Sequence, residues 1–272
     1  MRYAVVGDPV AHSASPSLFL ALGRELGLPL EYRAEQVTAA ELPGFLERVR
    51  AGAYQGLSVT LPHKETVLHL ADTASVVARA VGAANTLVQR EGRLEADNTD
   101  GVGLLRALAS QGVNVEGARV LVLGAGGAAR AALQATRDAG ARALYVFNRT
   151  PERAERLAAA FGAVAVPLAE LPRLLQDVDV LVQASAAGLS RPTETPLPEG
   201  CVLHPRLSVL DMVYQPLQTQ LLRDARASGA RAVDGLWMLV HQALAQCQLW
   251  TGVEAAPGVA IALHAALQQE AA

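Results

Sequence analysis

Residues 119–150 read RVLVLGAGGAARAALQATRDAGARALYVFNRT, and their pattern decides the fold. Residues 119–123 form a short, mostly apolar run, as expected of a strand buried on both faces of a parallel sheet. Gly124-Ala125-Gly126-Gly127-Ala128-Ala129 follows at once, and a helical pattern then runs to about residue 138. This is G-x-G-x-x-A in the strand–turn–helix setting that dinucleotide binding requires. Gly124 permits the tight turn, and Gly126 lets the backbone approach a pyrophosphate. The small Ala129 allows helix to pack on strand, while the helix N-terminus offers free N–H groups to the anion. An ordinary α/β domain can also carry a glycine turn, but the correct elements on both sides favour a dinucleotide site.

The end of the next strand refines the cofactor. An NAD site usually has Asp or Glu there to bond the ribose hydroxyls. Here the place is taken by Asn148-Arg149-Thr150, with Pro151 suited to the first helical position, Thr150 to the cap, and Arg153 four residues after Arg149. Two guanidiniums, a hydroxyl and a helix N-terminus converging on one phosphate favour the 2′-phosphate of NADP. A solvated basic helix start is the plainer alternative.

Composition bounds the rest. The chain has 272 residues, 51% hydrophobic and 18% charged, with net charge −3. That is enough to bury one large core or two modest ones, and it gives no reason to expect nucleic acid or an anionic membrane as partner. Cys201 and Cys247 are isolated, and the six histidines lack ligand spacing, so no metal site is expected. The opening MRYAVVGDPV reads as a strand interrupted by proline rather than a signal peptide, and a cytoplasmic location is the expectation.

Taken in order, residues 3–6 are a first strand, and His12-Ser13-Ala14-Ser15-Pro16 leads into a helix to about residue 26, with Ser15 as its expected cap. Ser13 and Ser15 make a plausible seat for a carboxylate or hydroxylated ligand at a strand's C-terminal end. Residues 30–36 are a strand, 40–51 an amphipathic helix, and 56–60 a third strand. Leu61-Pro62-His63-Lys64 leaves that strand, with Pro62 expected to start a helix. Lys64 then opposes the helix dipole in a first turn, a placement suited to a proton-transferring lysine. A lysine simply reaching solvent, or His63 as the acid/base group, remain open at this point. Residues 83–89 and 94–96 are strands around a turn, and the polar cluster Asp97-Asn98-Thr99-Asp100-Gly101 closes a domain, with Asp100 either a helix cap or a cleft residue. Strand and helix then alternate to residue 233, predicting a parallel, doubly wound domain. Helices over 235–250 and 257–269 end the chain, and Gln242 lies on the otherwise apolar stripe of the first.

Together these pieces resemble the shikimate dehydrogenase family over nearly the whole chain. The residues that carry the resemblance are Gly7-Asp8-Pro9 with His12 to Pro16, Ser58 to Lys64, Gly82 to Thr86, Asp97 to Gly101, the glycine turn, Asn148 to Thr150, Asp211 to Tyr214, and Gly235 to Ala243. The resemblance implies an N-terminal α/β substrate domain (1–101 and 237–272), a Rossmann-type doubly wound NADP-binding domain (102–236) and an active-site cleft between them. It implies Lys64 as acid/base with Asp100 as its partner, and a substrate carboxylate on Ser13 and Ser15. Thr60, Asn85, Asp100, Tyr214 and Gln242 would hold the substrate hydroxyls. The cofactor would rest on Gly124, Ala125, Gly126, Gly127, Ala128, Asn148, Arg149, Thr150, Arg153, Met212 and Gly235.

Three positions depart from the family pattern: Ser58 replaces the usual Asn, Phe19-Leu20 a polar pair, and Gln183-Ala184-Ser185 the usual Asn-Ala-Thr. The implied activity is NADP-dependent, reversible reduction of 3-dehydroshikimate to shikimate in chorismate and aromatic amino-acid biosynthesis, by a monomer or homodimer. A quinate/shikimate dehydrogenase paralogue using NAD or NADP is the near alternative, and a catalytically silent NADP-sensing regulatory protein the distant one.

Overall fold

The computed structural model describes residues 1–270 and divides into two compact units, one of residues 1–99 with those from Val240 onward, the other Asp100–Leu239. The first unit holds β1 (Arg2–Gly7), α1 (Ser15–Leu26), β2 (Glu31–Gln36), α2 (Leu42–Arg50), β3 (Gly56–Val59), α3 (Lys64–Leu70), β4 (Thr73–Ala74), α4 (Val76–Val81), β5 (Thr86–Arg90) and β6 (Arg93–Asp97). Its sheet runs in the order β2-β1-β3-β5-β6-β4. β1 pairs parallel with β2 and β3, whereas β5 pairs antiparallel with both β3 and β6. The β5–β6 hairpin closes on Glu91 (φ 50°) and Gly92 (φ 78°). Two successive positive φ values match the right-handed twist of the flanking strands.

The core of this unit lies where Ala4 and Val6 of β1, Leu57 and Val59 of β3 and Leu87 of β5 meet Phe45, Leu46 and Val49 of α2. Those three α2 residues fall three and four apart on one helix face, which is why the segment is amphipathic. Two expected helix starts shift. Ser15 does not cap α1: it is the first helical residue, Ala14 holds the cap position, and the Ser15 amide donates to Ser13 Oγ at 3.2 Å. Likewise Pro62 lies before α3, after a cis Leu61–Pro62 peptide, and Lys64 is the first helical residue. Beyond the helix expected to start at Pro62, the sequence pattern predicts no further element before residue 83. There Ser75 caps α4 by accepting from the Ala78 amide at 3.0 Å, and Gly82 ends it at φ 72°.

The second unit holds α5 (Asp100–Ser110), β7 (Arg119–Leu123), α6 (Gly127–Asp138), β8 (Ala143–Phe147), α7 (Pro151–Phe161), β9 (Val164–Ala165), α8 (Leu171–Leu175), β10 (Val180–Gln183), β11 (Ser208–Asp211), α9 (Gln220–Ala227) and β12 (Arg231–Val233). All its strands are parallel, in the order β12-β11-β10-β7-β8-β9. This is the doubly wound arrangement, with the direction of winding reversing between β7 and β10. α10 (Gly235–Thr251) begins in the second unit and continues into the first, and α11 (Pro257–Glu270) follows.

Two glycines show how tightly the second unit packs. A Cβ on Gly101 would lie 2.9 Å from the Ala135 Cβ, so α5 and α6 approach to backbone distance. A Cβ on Gly235 would lie 2.7 Å from the Asp211 carbonyl oxygen and 2.8 Å from the Met212 carbonyl. Gly235→Ala is therefore expected to destabilise the protein by about 1–3 kcal/mol through a forced backbone shift. Urea unfolding of the variant checks this, and an unchanged midpoint would show that α10 moves aside at no cost.

Candidate active site

In the first unit, a set of backbone bonds gathers three of the expected substrate residues near the C-terminal ends of β1 and β3. The Thr60 amide donates to the Val6 carbonyl at 2.9 Å, the Asp8 amide to Leu61 at 3.0 Å, and the His63 amide to Thr60 at 3.0 Å. The Ala84 amide donates to the Lys64 carbonyl at 2.8 Å, and the Val59 amide to the Asn85 carbonyl at 2.7 Å. Thr60, Lys64 and Asn85 thus belong to one hydrogen-bonded frame, and the loop carrying Ser13 and Ser15 leaves the same edge. Gly7 is required there because a Cβ would strike Thr60 Cγ2 and lie 2.9 Å from the Leu61 carbonyl oxygen. His63 is buried with Nε2 2.6 Å from the Val37 carbonyl oxygen, which removes it as a rival to the half-buried Lys64.

Behind these residues lies a buried polar network that the sequence did not reveal. The Tyr32 hydroxyl donates to Ser58 Oγ at 2.6 Å, and Ser58 donates to Gln246 Oε1 at 2.7 Å. Gln246 Nε2 donates in turn to the Asn85 carbonyl (3.1 Å) and to Thr86 Oγ1 (3.0 Å). Because the Asn85 carbonyl can only accept, Gln246 turns its NH₂ there and its oxygen to Ser58, and the Ser58 proton is committed away from any ligand. Asn85 is held by the Thr86 hydroxyl (2.7 Å) and the Thr99 amide (2.8 Å) on Oδ1, while its Nδ2 reaches Thr99 Oγ1 (3.0 Å) and Gln242 Oε1 (3.5 Å). Gln242 and Gln246 are one helical turn apart on α10, the spacing that could have linked them in advance. Burial pushes the Tyr32 hydroxyl well above the usual phenol range, against hydrogen bonds with Ser58 and Ser15 that lower it. Phe19, where the family pattern has a polar residue, stacks on the Tyr32 ring with centroids 4.2 Å apart. Two of the departures from the pattern are therefore joined through Tyr32.

In the second unit, the glycine turn has the geometry its sequence requires. Gly124 adopts φ 118°, and a Cβ there would lie 2.9 Å from the Ala184 carbonyl oxygen. Gly126 caps α6 in an extended conformation with no side-chain cap bond, and a Cβ there would meet nothing within 4 Å. The space beside Gly126 is open, so a ligand could approach the backbone there. Gly127 and Ala128 open α6 beside Ala129, which is fully buried. The turn after β10 is pinned by Gln183, whose Oε1 accepts from the Ser185 amide (3.1 Å) and whose Nε2 donates to the carbonyls of Ser185 (3.3 Å) and Ala187 (3.2 Å). Gln183 thus serves the loop through its longer side chain.

A cavity of about 440 Å³ opens beside this turn, lined among others by Gly124, Phe147, Asn148, Arg149, Ser185 and Glu194. Asn148 Nδ2 donates to the Thr150 carbonyl at 3.0 Å, shaping the approach to α7. Thr150 takes the expected cap position, although its side chain makes no cap bond. Arg149 and Arg153 are exposed, and Arg149 Nη1 stands 3.8 Å from a Glu194 carboxylate oxygen. An open helix N-terminus, a glycine facing open space, and an arginine at the pocket rim fit a phosphorylated dinucleotide. Met212 and Gly235 sit together at the end of β11, and Tyr214 follows two residues on. Asp100 is the buried first residue of α5, where its charge suits the helix dipole. Lys64 belongs to the first unit and Asp100 to the second.

Among the described residues, no group of three or more His, Cys, Asp or Glu can hold a metal ion, and no helix is long and apolar enough to cross a membrane. A parallel doubly wound unit with this turn, joined to a mixed α/β unit carrying a lysine and a ring of hydroxyl and amide groups, defines a two-unit nicotinamide-dependent oxidoreductase fold. The chain belongs to the shikimate dehydrogenase family. Residues 5–87 match the shikimate dehydrogenase substrate binding domain, residues 107–197 the shikimate / quinate 5-dehydrogenase family, and residues 235–262 the shikimate 5′-dehydrogenase C-terminal domain. It is 44% identical to a shikimate dehydrogenase (NADP(+)) of Thermus thermophilus, over 93% of each chain. The same-named protein of Thermococcus kodakarensis is 41% identical over 94% of this chain and 93% of that one. The crystal structure of the Thermus thermophilus shikimate 5-dehydrogenase with NADP(H) and shikimate superposes with a TM-score of 0.90 at 41% identity, covering 98% of this chain and 99% of that one.

Two measurements probe this geometry. Tyr32→Phe keeps the stack on Phe19 and deletes one buried hydroxyl, for an expected loss of about 1 kcal/mol. In a double-mutant cycle with Ser58→Ala, the two losses are expected to be non-additive by at least about 0.5 kcal/mol. Strict additivity would mean that the 2.6 Å bond contributes nothing. The second concerns Asp211, which burial pushes up to about 6 although the Thr219 hydroxyl and Val213 amide donate to it. The folded state therefore holds this proton more tightly than the unfolded chain. Its contribution to stability is greatest below the unfolded value of 3.8 and is lost as pH rises through about 6, up to about 3 kcal/mol in all. Urea melts of Asp211→Asn and the parent should then diverge between about pH 4 and about pH 7, and a pH-independent difference would refute the assignment.

Proposed function

We propose that this chain is an NADP-dependent shikimate dehydrogenase, catalysing the reversible reduction of 3-dehydroshikimate to shikimate on the route to chorismate and the aromatic amino acids. The observation that carries the reading is the match to proteins of that name over 93% of the chain, with Lys64 and Asp100 both present. The reading also puts the enzyme in the cytoplasm, as a monomer or homodimer, with a substrate domain of residues 1–101 and 237–272 and a cofactor domain of 102–236.

NADP(H), when bound, supplies the hydride. Gly124, Ala125, Gly126, Gly127 and Ala128 would hold its pyrophosphate at the α6 N-terminus, where the first-turn amides lack a side-chain cap. Asn148, Arg149, Thr150 and Arg153 would hold the 2′-phosphate, the two arginines by charge and the others by hydrogen bonds. Met212 and Gly235 would back the nicotinamide end.

On the substrate side, Ser13 and Ser15 hold the carboxylate. Thr60, Asn85, Asp100, Tyr214 and Gln242 hold the hydroxyls. Asn85 is well suited to this because its own amide is fixed by Thr86 and Thr99 and cannot rotate freely. Lys64 Nζ gives its proton to the oxygen of the forming alcohol in reduction and takes it back in oxidation. The same reading gives Asp100 the role of its partner in one acid/base pair.

Ser58 supports a second reading, a quinate/shikimate dehydrogenase. Its proton is committed to Gln246, so a family position that usually offers an amide donor offers only a lone pair here. Absorbance at the nicotinamide band, with shikimate or quinate offered alongside NADP or NAD, separates the two. Turnover of shikimate with NADP is expected to dominate, and preferential turnover of quinate would select the second reading. Lys64→Ala is expected to lose kcat by about 10²–10⁴-fold with a modest change in KM. A rise in KM alone would make Lys64 a binding residue and the acid/base assignment wrong.

A further inference from the structure

The second unit brings a carboxylate to the cofactor pocket from an unexpected direction. The end of β8 lacks the acidic residue that would bond a free ribose 2′-hydroxyl. Glu194, on the loop after β10, lines the same cavity as Asn148 and Arg149. Its carboxylate stands 3.8 Å from Arg149 Nη1 and 3.5 Å from Arg191 Nε. The Glu194 amide donates to the Arg191 carbonyl at 2.9 Å, which places the residue in a tight turn. Of the three side chains Glu194 is the most sheltered, at 29% exposure against 88% for Arg149 and 79% for Arg191. The carboxylate is thus the anchored member, and the two guanidiniums reach towards it.

We infer that Glu194 is a specificity-determining residue for the cofactor, one that narrows the preference for a 2′-phosphate over a 2′-hydroxyl. The inference rests on the reading of this pocket as the NADP site. Two effects of opposite sign follow from one carboxylate. An arriving 2′-phosphate must share Arg149 with Glu194 and meets a like charge close by, so its binding is weakened. A ribose 2′-hydroxyl instead finds an acceptor, the service that a strand-end Asp or Glu gives in an NAD site. Arg191 draws part of the carboxylate's charge away from the pocket, so the penalty on the phosphate is partial and NADP use persists.

The test uses the intact protein and two probes that differ only in the group at issue: adenosine 2′,5′-bisphosphate, and adenosine 5′-monophosphate with a free 2′-hydroxyl. Dissociation constants are measured by calorimetry for the parent and for Glu194→Gln. The ratio of the monophosphate constant to the bisphosphate constant is expected to rise about two- to fivefold in the variant, the scale of an exposed charge pair. The gain should shrink as salt is raised, because the charges are solvent-accessible. An unchanged or lower ratio overturns the inference. If the parent binds the bisphosphate no better than the monophosphate and the variant does, Glu194 is the cause and the inference stands. If neither protein distinguishes the two probes, the reading of the pocket as an NADP site fails, and the inference falls with it.

Discussion

No side chain fits at residue 124. The chain must leave β7 with φ 118° under the carbonyl of Ala184, and only glycine does so without strain. This constraint lies at the point where the parallel sheet reverses its winding, so it brings the exit of β7 against the exit of β10. From it follows the position of α6, whose first turn begins three residues later with no side-chain cap. The pocket beside it inherits its walls from the same two exits. Gln183 then has to hold the β10 exit in shape, which it does with one acceptor and two donor contacts to the loop that follows.

The second unit was legible because its signals are local. Parallel strands buried on both faces read as short apolar runs, and each ends at a glycine, proline or polar break. The glycine turn, the Asn148-Arg149-Thr150 ending and the helix from residue 151 needed no long-range information. In the first unit the strands β1, β2 and β3 were equally clear, but β4 is two residues long and pairs only with β6, so no periodicity announced it. The two misplaced helix starts share a cause. Ser15 and Pro62 are both chemically suited to begin a helix, and in both cases the loop before it is fixed by other bonds. Asp8 bonds to Leu61 and Ser13 to Val10, so the boundary is set by tertiary contacts rather than by capping preference.

The substrate side shows a sharper limit. Thr60, Lys64 and Asn85 were found by their motifs, yet the groups that hold them in place were not. Tyr32 lies on β2, and Gln246 lies on α10, near the far end of the chain. Their meeting at Ser58 is a property of the folded unit alone. In the sequence Ser58 is only a departure from the family's asparagine. In the fold it is the middle of a directed run of hydrogen bonds, whose sense is imposed by the one group at its end that can only accept, the Asn85 backbone carbonyl. Phe19 likewise ceases to be an anomaly once its ring is seen to lie flat against Tyr32.

The ends of the two sheets carry a consequence for how the protein behaves when crowded. One sheet stops at β4 and the other at β9, each two residues long, and the second sheet's other margin, β12, has three. The longer margin, β2, exposes Glu31 and Arg33 and leaves Glu35 half-buried. A foreign strand seeking to extend either sheet meets a ladder too short to register on or a row of mixed charges. Such borders favour a chain that stays dispersed at high concentration, and they direct any self-association to helices and loops rather than to strand addition.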